Sequence, residues 1–386
     1  MAAPAAEELR SEFLLDPEVA FLNHGSFGSC PRPVFESYQA WQRELEAEPI
    51  DFINRRLLPL LDGARTELAD YVGCSAQDLA FVQNATTGVN LAARSLSLGP
   101  DDEVLATDLE YGACDLAWEW VCRRAGARYV RAPIPLPSRE PSEVADALFA
   151  AAGERTRAVY VSHITSSTGL VLPLEEILAR ARSLGLVTIV DGAHAPGHVP
   201  VSIEALGADY YSGNVHKWLN APKGAGFVHV RPEHQDGMDA AIVSWGYTEG
   251  KSFSERIEMQ GTRDPAAWLA IPDAIRFQAE REWDDVRDRS HRLARDAHRE
   301  LCDLLHTEPL APDSMLAQMA AVRLPRSEPD LSERLFARHR VEIPVTGERS
   351  DLLRLSVAGY TTRDEIDRLL AALVRELDAQ HGEQDE

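Results

Sequence analysis

Residues 209–226 read Asp209-Tyr-Tyr-Ser-Gly-Asn-Val-His-Lys-Trp-Leu-Asn-Ala-Pro-Lys-Gly-Ala-Gly226, and Lys217 within them decides how the rest of the chain is read. Lysine occurs three times among 39 basic side chains, at 217, 223 and 251, so 36 are arginine. Two of the three fall within seven residues, in a run of Gly, Asn, Trp and Pro that is no solvated charged surface. That placement asks for a primary amine. Arginine keeps its proton in a protein, whereas a desolvated lysine can lose it and serve as nucleophile, Schiff-base former or general base. A structural lysine bonding loop carbonyls meets the same description, because burial lowers a lysine pKa in structural and catalytic sites alike.

Outward from this stretch, residues 79 to 230 alternate short apolar runs with helical stretches, the pattern of an α/β sheet with helices on its faces. The expected strands are Leu79–Gln83, Glu103–Thr107, Arg128–Ile134, Ala158–His163, Val187–Asp191, Asp209–Ser212 and Gly226–Val230. Functional residues should cluster where such strands end. Upstream, residues 1–20 read as a polar, partly helical arm, and Phe21–Pro31 as a Gly- and Pro-rich loop. Residues 33 to 72 carry helical spacing, with Phe35, Tyr38, Trp41 and Leu45 on one stripe and Leu57, Leu60, Leu61, Ala64 and Leu68 on another. The expected large domain spans 21–264.

After about residue 265 the texture becomes charged and amphipathic, which predicts a smaller α+β domain over 265–380 and a polar tail at 381–386. It holds a long helix Glu282–Leu305, a strand Met319–Leu324, a helix Leu331–His339, a strand Asp351–Val357 and a last helix reaching about Leu377. Thr362-Arg-Asp-Glu365 is a capping box that opens this last helix.

Composition narrows the function. The formal charge of −23 opposes nonspecific binding to nucleic acid or anionic membrane surfaces. No run approaches the roughly 18 apolar residues of a membrane span, and Met-Ala-Ala-Pro-Ala-Ala-Glu-Glu lacks the basic and apolar regions of a leader, so the expected compartment is the cytoplasm. Five cysteines (30, 74, 114, 122, 302) include no Cys-x-x-Cys pair, which suggests reduced thiols with no disulfide framework and no zinc or other metal site. There is no Gly-rich dinucleotide fingerprint and no Walker-type Gly-Lys-Ser/Thr.

Two further stretches carry chemistry. Gln83-Asn-Ala-Thr-Thr-Gly-Val-Asn90 joins a strand to a helix N-terminus, where free amides and the helix dipole suit a phosphate and Thr86 and Thr87 add hydroxyls. A plain helix cap reads the same way. Val187-Thr-Ile-Val-Asp-Gly-Ala-His194 ends a strand with Asp191, a carboxylate able to pair with a protonated ring nitrogen, or to cap a turn. His194 could meet a phenolic oxygen. A phosphate site, a ring-nitrogen partner and a Schiff-base lysine in the order 86, 191, 217 together describe the anchoring points of pyridoxal 5′-phosphate.

With these residues in place, the sequence resembles the class V aminotransferase group of fold-type I pyridoxal-phosphate enzymes, and within it the isopenicillin N epimerase-like branch. The resemblance covers about residues 20 to 378 and rests on Phe21-Leu-Asn-His-Gly-Ser-Phe-Gly, Asn84-Ala-Thr-Thr, Glu110-Tyr-Gly-Ala, Ser162-His-Ile-Thr-Ser, Val190-Asp-Gly-Ala-His-Ala-Pro-Gly, Gly213-Asn-Val-His-Lys-Trp-Leu-Asn-Ala-Pro-Lys-Gly and Gly261-Thr-Arg-Asp. It implies a mainly parallel seven-stranded sheet in the large domain. It further implies that Lys217 forms the Schiff base, Asp191 holds the pyridine nitrogen protonated, His194 lies near the phenolic oxygen and Tyr111 stacks on the ring. Ala85, Thr86, Asn214 and His216 would cradle the phosphate. Thr262 would reach in from a partner subunit, making a homodimer with shared sites. Arg354, in Leu353-Arg-Leu-Ser, would hold the substrate carboxylate, with Asn23 and Ser166 lining the pocket.

The implied chemistry starts at the α-carbon of an amino acid, in specialised, antibiotic-type metabolism. Epimerisation, β-elimination, decarboxylating deamination and transamination all begin there. Cysteine desulfurases of this class use a cysteine on a loop before the carboxylate arginine, and here none follows Cys302, so a persulfide route is not expected. Epimerisation needs a second proton donor besides Lys217, for which Tyr111, Cys114 and His24 are candidates. A non-catalytic binding protein is the competing class; regulators of this fold carry an added DNA-binding domain, for which the short N-terminus and acidic charge leave no room.

Overall fold

The computed structural model describes residues 3–347 and 349–383. Its strands are β1 (Ala20–Phe21), β2 (Leu79–Val82), β3 (Glu103–Thr107), β4 (Arg128–Ala132), β5 (Thr156–Ser162), β6 (Val187–Gly192), β7 (Tyr210–Asn214), β8 (Gly226–Val230), β9 (Met319–Arg323), β10 (Val341–Glu342), β11 (Val345–Thr346) and β12 (Leu352–Ser356). Each of the seven expected large-domain strands is present, with no end moved by more than two residues. They form one sheet in the order β2-β8-β7-β6-β5-β3-β4. Every pairing is parallel except those of β8, which runs against both β2 and β7.

The apolar runs are continuous because both faces of this sheet are covered. Alternate residues face opposite sides. Phe81, Leu105, Val159, Val161, Val190 and Tyr211 pack on one side with Leu61, Leu68, Val144 and Ile177. Ala80, Val104, Ala106, Tyr160 and Ile189 pack on the other with Val89, Leu91, Trp118 and Ile257. The helical stripe of residues 33 to 72 resolves into helices Arg32–Ala47 and Leu57–Val72, joined through a short turn and a π-helical segment, Phe52–Arg56.

The smaller C-terminal part holds an antiparallel sheet in the order β11-β12-β9. Helices Trp283–Leu305, Leu331–His339 and Arg363–Glu383 accompany it. Ala294, Leu301, Leu335, Leu355, Ile366 and Leu373 form its core. The capping box is made: the Thr362 amide donates to Glu365 Oε2 (2.9 Å) and the Glu365 amide to Thr362 Oγ1 (3.3 Å). The last helix continues past Leu377 to Glu383. Of the tail expected at 381–386, residues 384–386 lie outside the described residues.

Leu9 and Phe13 pack in the large-domain core, whereas the segment that follows them joins this C-terminal core. Ala20 pairs with Val341 in parallel, and Ala20 and Leu22 pack among the C-terminal apolar residues. From there residues 23–28 turn back onto the loop that carries Lys217.

Candidate active site

The C-terminal ends of β5, β6 and β7 stand side by side, with Ser162 opposite Asp191 and Asp191 opposite Ser212. A cleft of about 180 Å3 opens there. It brings together Ala85, Thr86, Tyr111, Ser166, Asp191, His194, Asn214, His216 and Lys217.

Lys217 sits on the loop between β7 and β8, whose antiparallel pairing ties both ends of the loop to neighbouring strands. The Val215 amide donates to the Ala225 carbonyl (3.1 Å), and the Ala221 amide to that of Val215 (3.0 Å). Gln278 Nε2 donates to the Trp218 carbonyl (2.8 Å) and His24 Nε2 to that of Lys217 (3.0 Å). Gly28 lies against the loop with φ of 68°, and a Cβ there would meet the His216 carbonyl at 2.1 Å, so this approach requires glycine. Lys223 donates to the Gly28 carbonyl (3.0 Å). Of the two lysines in the stretch, Lys223 thus bonds a loop carbonyl and Lys217 faces the cleft.

Lys217 keeps part of its surface open to the cleft while protein encloses its other sides. That burial, helped by the Arg354 charge and opposed by Asp191, brings its ammonium down to about 8. Its Nζ lies 3.2 Å from His194 Nε2. On the other side of His194, Trp218 Nε1 donates to Nδ1 (3.3 Å).

Asp191 is buried, and its hydrogen-bond donors are neutral: the Ala193 amide (2.9 Å), the Tyr160 hydroxyl (3.3 Å) and the Cys114 thiol (3.6 Å). Burial raises its pKa, against the opposing pull of the Ala193 amide and Lys217. Behind it, Glu110 accepts from Ser162 and Thr107, each at 2.6 Å, and burial lifts it to about 8.

Helix Ala85–Ser95 starts at the cleft, capped by Asn84 Oδ1 on the Thr87 amide. The Ala85 amide donates to Asn214 Oδ1 (2.7 Å), so in this structure Ala85 fixes Asn214. His216 Nδ1 bonds the Ala225 carbonyl (3.1 Å), and burial brings the ring down to about 4. Tyr111 caps helix Gly112–Ala125 and is 44% exposed at the cleft.

Arg354 and Asn23 stand behind the lining. Arg354 donates to the Ser166 carbonyl (2.7 Å), Ser26 Oγ (2.8 Å) and Asn23 Oδ1 (3.2 Å), while its buried Nε has no hydrogen-bond partner. Thr262 does not reach this cleft. It lines a different cavity of the same chain with Ile53, Asn54 and Met259.

Of the considered proton donors, Cys114 is buried behind Asp191 and His24 is buried between Tyr360 and the Lys217 carbonyl; Tyr111 alone lines the cleft. Ser26, Phe27, Asn84 and Ser162 line it too, and sequence reasoning passed over them. Each lies inside a quoted motif, so the motifs were signals for the segment and not for the side chain.

The architecture defines an α/β protein with an enclosed amine and a buried carboxylate at the strand ends of its sheet. Residues 30–369 match the profile of the family Aminotransferase class-V, and the chain belongs to that family. It is 39% identical over 392 residues to isopenicillin N epimerase of Streptomyces clavuligerus, covering 97% of this chain and 98% of that protein. To L-cysteine desulfhydrase of Arabidopsis thaliana it is 27% identical over 353 residues, 85% of this chain and 77% of the other. A solved structure of a C-DES mutant, with glycine covalently linked to its PLP cofactor, superposes with a TM-score of 0.84 at 23% identity, over 96% of this chain and 99% of that one. Among the described residues, no helix is long and apolar enough to cross a membrane.

Proposed function

We propose that this chain is a pyridoxal-phosphate enzyme that inverts the α-carbon of an amino-acid substrate, isopenicillin N or a closely related precursor. The carrying observation is that Lys217 and Asp191 share one cleft, the amine biased toward its free base and the carboxylate bonded to neutral donors. Identity of 39% along nearly the whole chain favours epimerisation.

The residues fit the cofactor. A buried carboxylate whose hydrogen-bond donors are neutral suits a protonated ring nitrogen. A helix N-terminus flanked by Thr86, Asn214 and His216 suits a phosphate. When bound, the cofactor supplies an aldehyde that joins an amine and a ring that takes up the electron pair released at an α-carbon. Arg354 holds the substrate carboxylate and so fixes which α-carbon bond faces the reacting direction. Lys217 would move the α-proton on its own face only, and inversion needs an acid on the opposite face, for which Tyr111 alone of the three candidate donors lines the cleft. Tyr111, open to the same cleft, would cover the ring.

The same proposal includes a cytoplasmic homodimer in specialised metabolism, with Thr262 completing the partner's phosphate site. A second reading, C–S elimination, is favoured by the likeness to L-cysteine desulfhydrase. Residues 326–349 contain no cysteine, so an enzyme persulfide has no carrier there.

Incubation with isopenicillin N and with cysteine in D2O separates the two. Inverted product carrying α-deuterium and no fragment supports epimerisation. Hydrogen sulfide, pyruvate and ammonia released from cysteine would replace it with the lyase reading. Holoprotein that exchanges no α-proton on any amino acid would overturn both.

A further inference from the structure

The two ring nitrogens of His194 face different kinds of partner. Nδ1 lies 3.3 Å from Trp218 Nε1, and Nε2 lies 3.2 Å from Lys217 Nζ. An indole N–H donates and never accepts, so Nδ1 must be the acceptor and carries no hydrogen. In the neutral ring the hydrogen is then on Nε2, directed at the amine. Burial keeps the ring neutral, and the charged or titratable groups that face it, Lys217, Arg354, His198 and His216, all oppose a second proton.

We propose that Trp218 is a positioning residue: its indole N–H locks His194 as the Nε2–H tautomer, so that the ring presents a donor, never a lone pair, to Lys217 and to the phenolic oxygen of a cofactor joined there. The lock itself needs only the protein; its effect on the phenolic oxygen rests on the proposed function.

The surroundings hold the lock. Trp218 is 2% exposed, so water does not compete for its N–H. Its ring packs against His198 at 4.1 Å and His24 at 4.8 Å. Those histidines are also fixed by partners that act in one direction only. His198 Nε2 accepts the Gln318 amide (2.7 Å), which leaves Nδ1–H to donate to the His194 carbonyl (3.0 Å). His24 Nε2–H donates to the Lys217 carbonyl (3.0 Å), which leaves Nδ1 to accept the Tyr360 hydroxyl (2.8 Å). A donor aimed at Lys217 favours its free amine over the ammonium, in the same direction as burial. Aimed at a phenolate, it stabilises the anion as a hydrogen bond to a charged group does.

Nitrogen NMR of histidine- and tryptophan-labelled, cofactor-free protein reads the tautomer directly, with His194→Asn assigning the signal. The expected wild-type spectrum shows hydrogen on Nε2 of His194, and Trp218→Phe, which keeps the ring but loses the donor, shifts His194 toward the Nδ1–H form. Hydrogen on Nδ1 in the wild type, or an unchanged tautomer in Trp218→Phe, would overturn the lock. Should that variant fail to fold, the wild-type protein decides: hydrogen on Nε2 with a coupling from Trp218 Nε1 to His194 Nδ1 upholds the lock, and hydrogen on Nδ1 ends it. In holoprotein, Trp218→Phe should raise the pH midpoint of the cofactor's visible band by about one to two units, because the phenolate without its donor holds the neighbouring imine proton more tightly. A lock present in protein that takes up no pyridoxal phosphate would leave this inference standing and overturn the proposed function.

Discussion

Lys217 faces its cleft beside a ring nitrogen, while Lys223 is bonded to a carbonyl and Lys251 is paired with Glu255. Borohydride should therefore fix the cofactor to Lys217 alone, read by mass spectrometry of the peptide. Labelling at Lys223 or Lys251, or retained labelling in Lys217→Ala, would remove the assignment. The enclosed amine also carries a stability cost. A free lysine titrates at 10.5 and Lys217 in the folded protein at about 8. Below pH 8 both folded and unfolded chains hold the proton and the folded state bears the full cost, at most about 3 kcal/mol. Between 8 and 10.5 only the unfolded chain binds the proton, so stability rises with pH. Cofactor-free Lys217→Met should accordingly be more stable than wild type at pH 7, with the gap closing toward pH 10.5 in denaturant titrations; an equal gap at both pH values would mean the amine is not desolvated. At this scale sequence reading succeeds where residue type is scarce. One lysine in a lysine-poor chain is conspicuous; Ser26 and Ser162 are ordinary serines until the strand ends are brought together.

The helix that opens at Ala85 lies directly on β7. Gly88 makes this possible, since a Cβ there would meet Ser212 Oγ at 2.1 Å and Ser212 Cβ at 2.8 Å. Ser212 Oγ in turn donates to the Ala85 carbonyl (3.1 Å). Gly88→Ala should lift the helix, cost about 1–3 kcal/mol as overpacking does, and weaken pyridoxal phosphate by at least about tenfold. Gly88→Ala with Ser212→Gly removes the clash and should restore most of that affinity in a cofactor titration. Unaltered affinity in the single variant would separate this helix from the phosphate. The large-domain strands were legible because each is a short apolar run bounded by polar residues. The reversal of β8 and the pairing of β1 with β10 were not, because strand order depends on partners far along the chain and leaves no local pattern.

In the molecule as a whole, Thr262 lines a cavity apart from its own chain's cleft, which suits a role in a neighbouring subunit. If the proposed homodimer shares its sites in this way, Lys217→Ala and Thr262→Asp place their defects in different sites of a mixed dimer. One site collects both defects and the other is whole. Each mutant homodimer should be nearly inactive, the second because a carboxylate facing a phosphate repels it. The doubly tagged mixed dimer should recover up to about half of wild-type activity. No recovery from an assembled, cofactor-containing mixed dimer would rule out the shared site. The segment from Ala20 to Gly28 carries a different consequence, one of timing during synthesis. His24 is made 336 positions before Tyr360, its hydrogen-bond partner, and Ala20 well before Val341. At about 5–20 residues per second, that is a delay of roughly 15 to 70 seconds on the ribosome. The Lys217 loop therefore gains this support only after Tyr360 has been made, and a nascent chain stalled short of Tyr360 has no complete site to load.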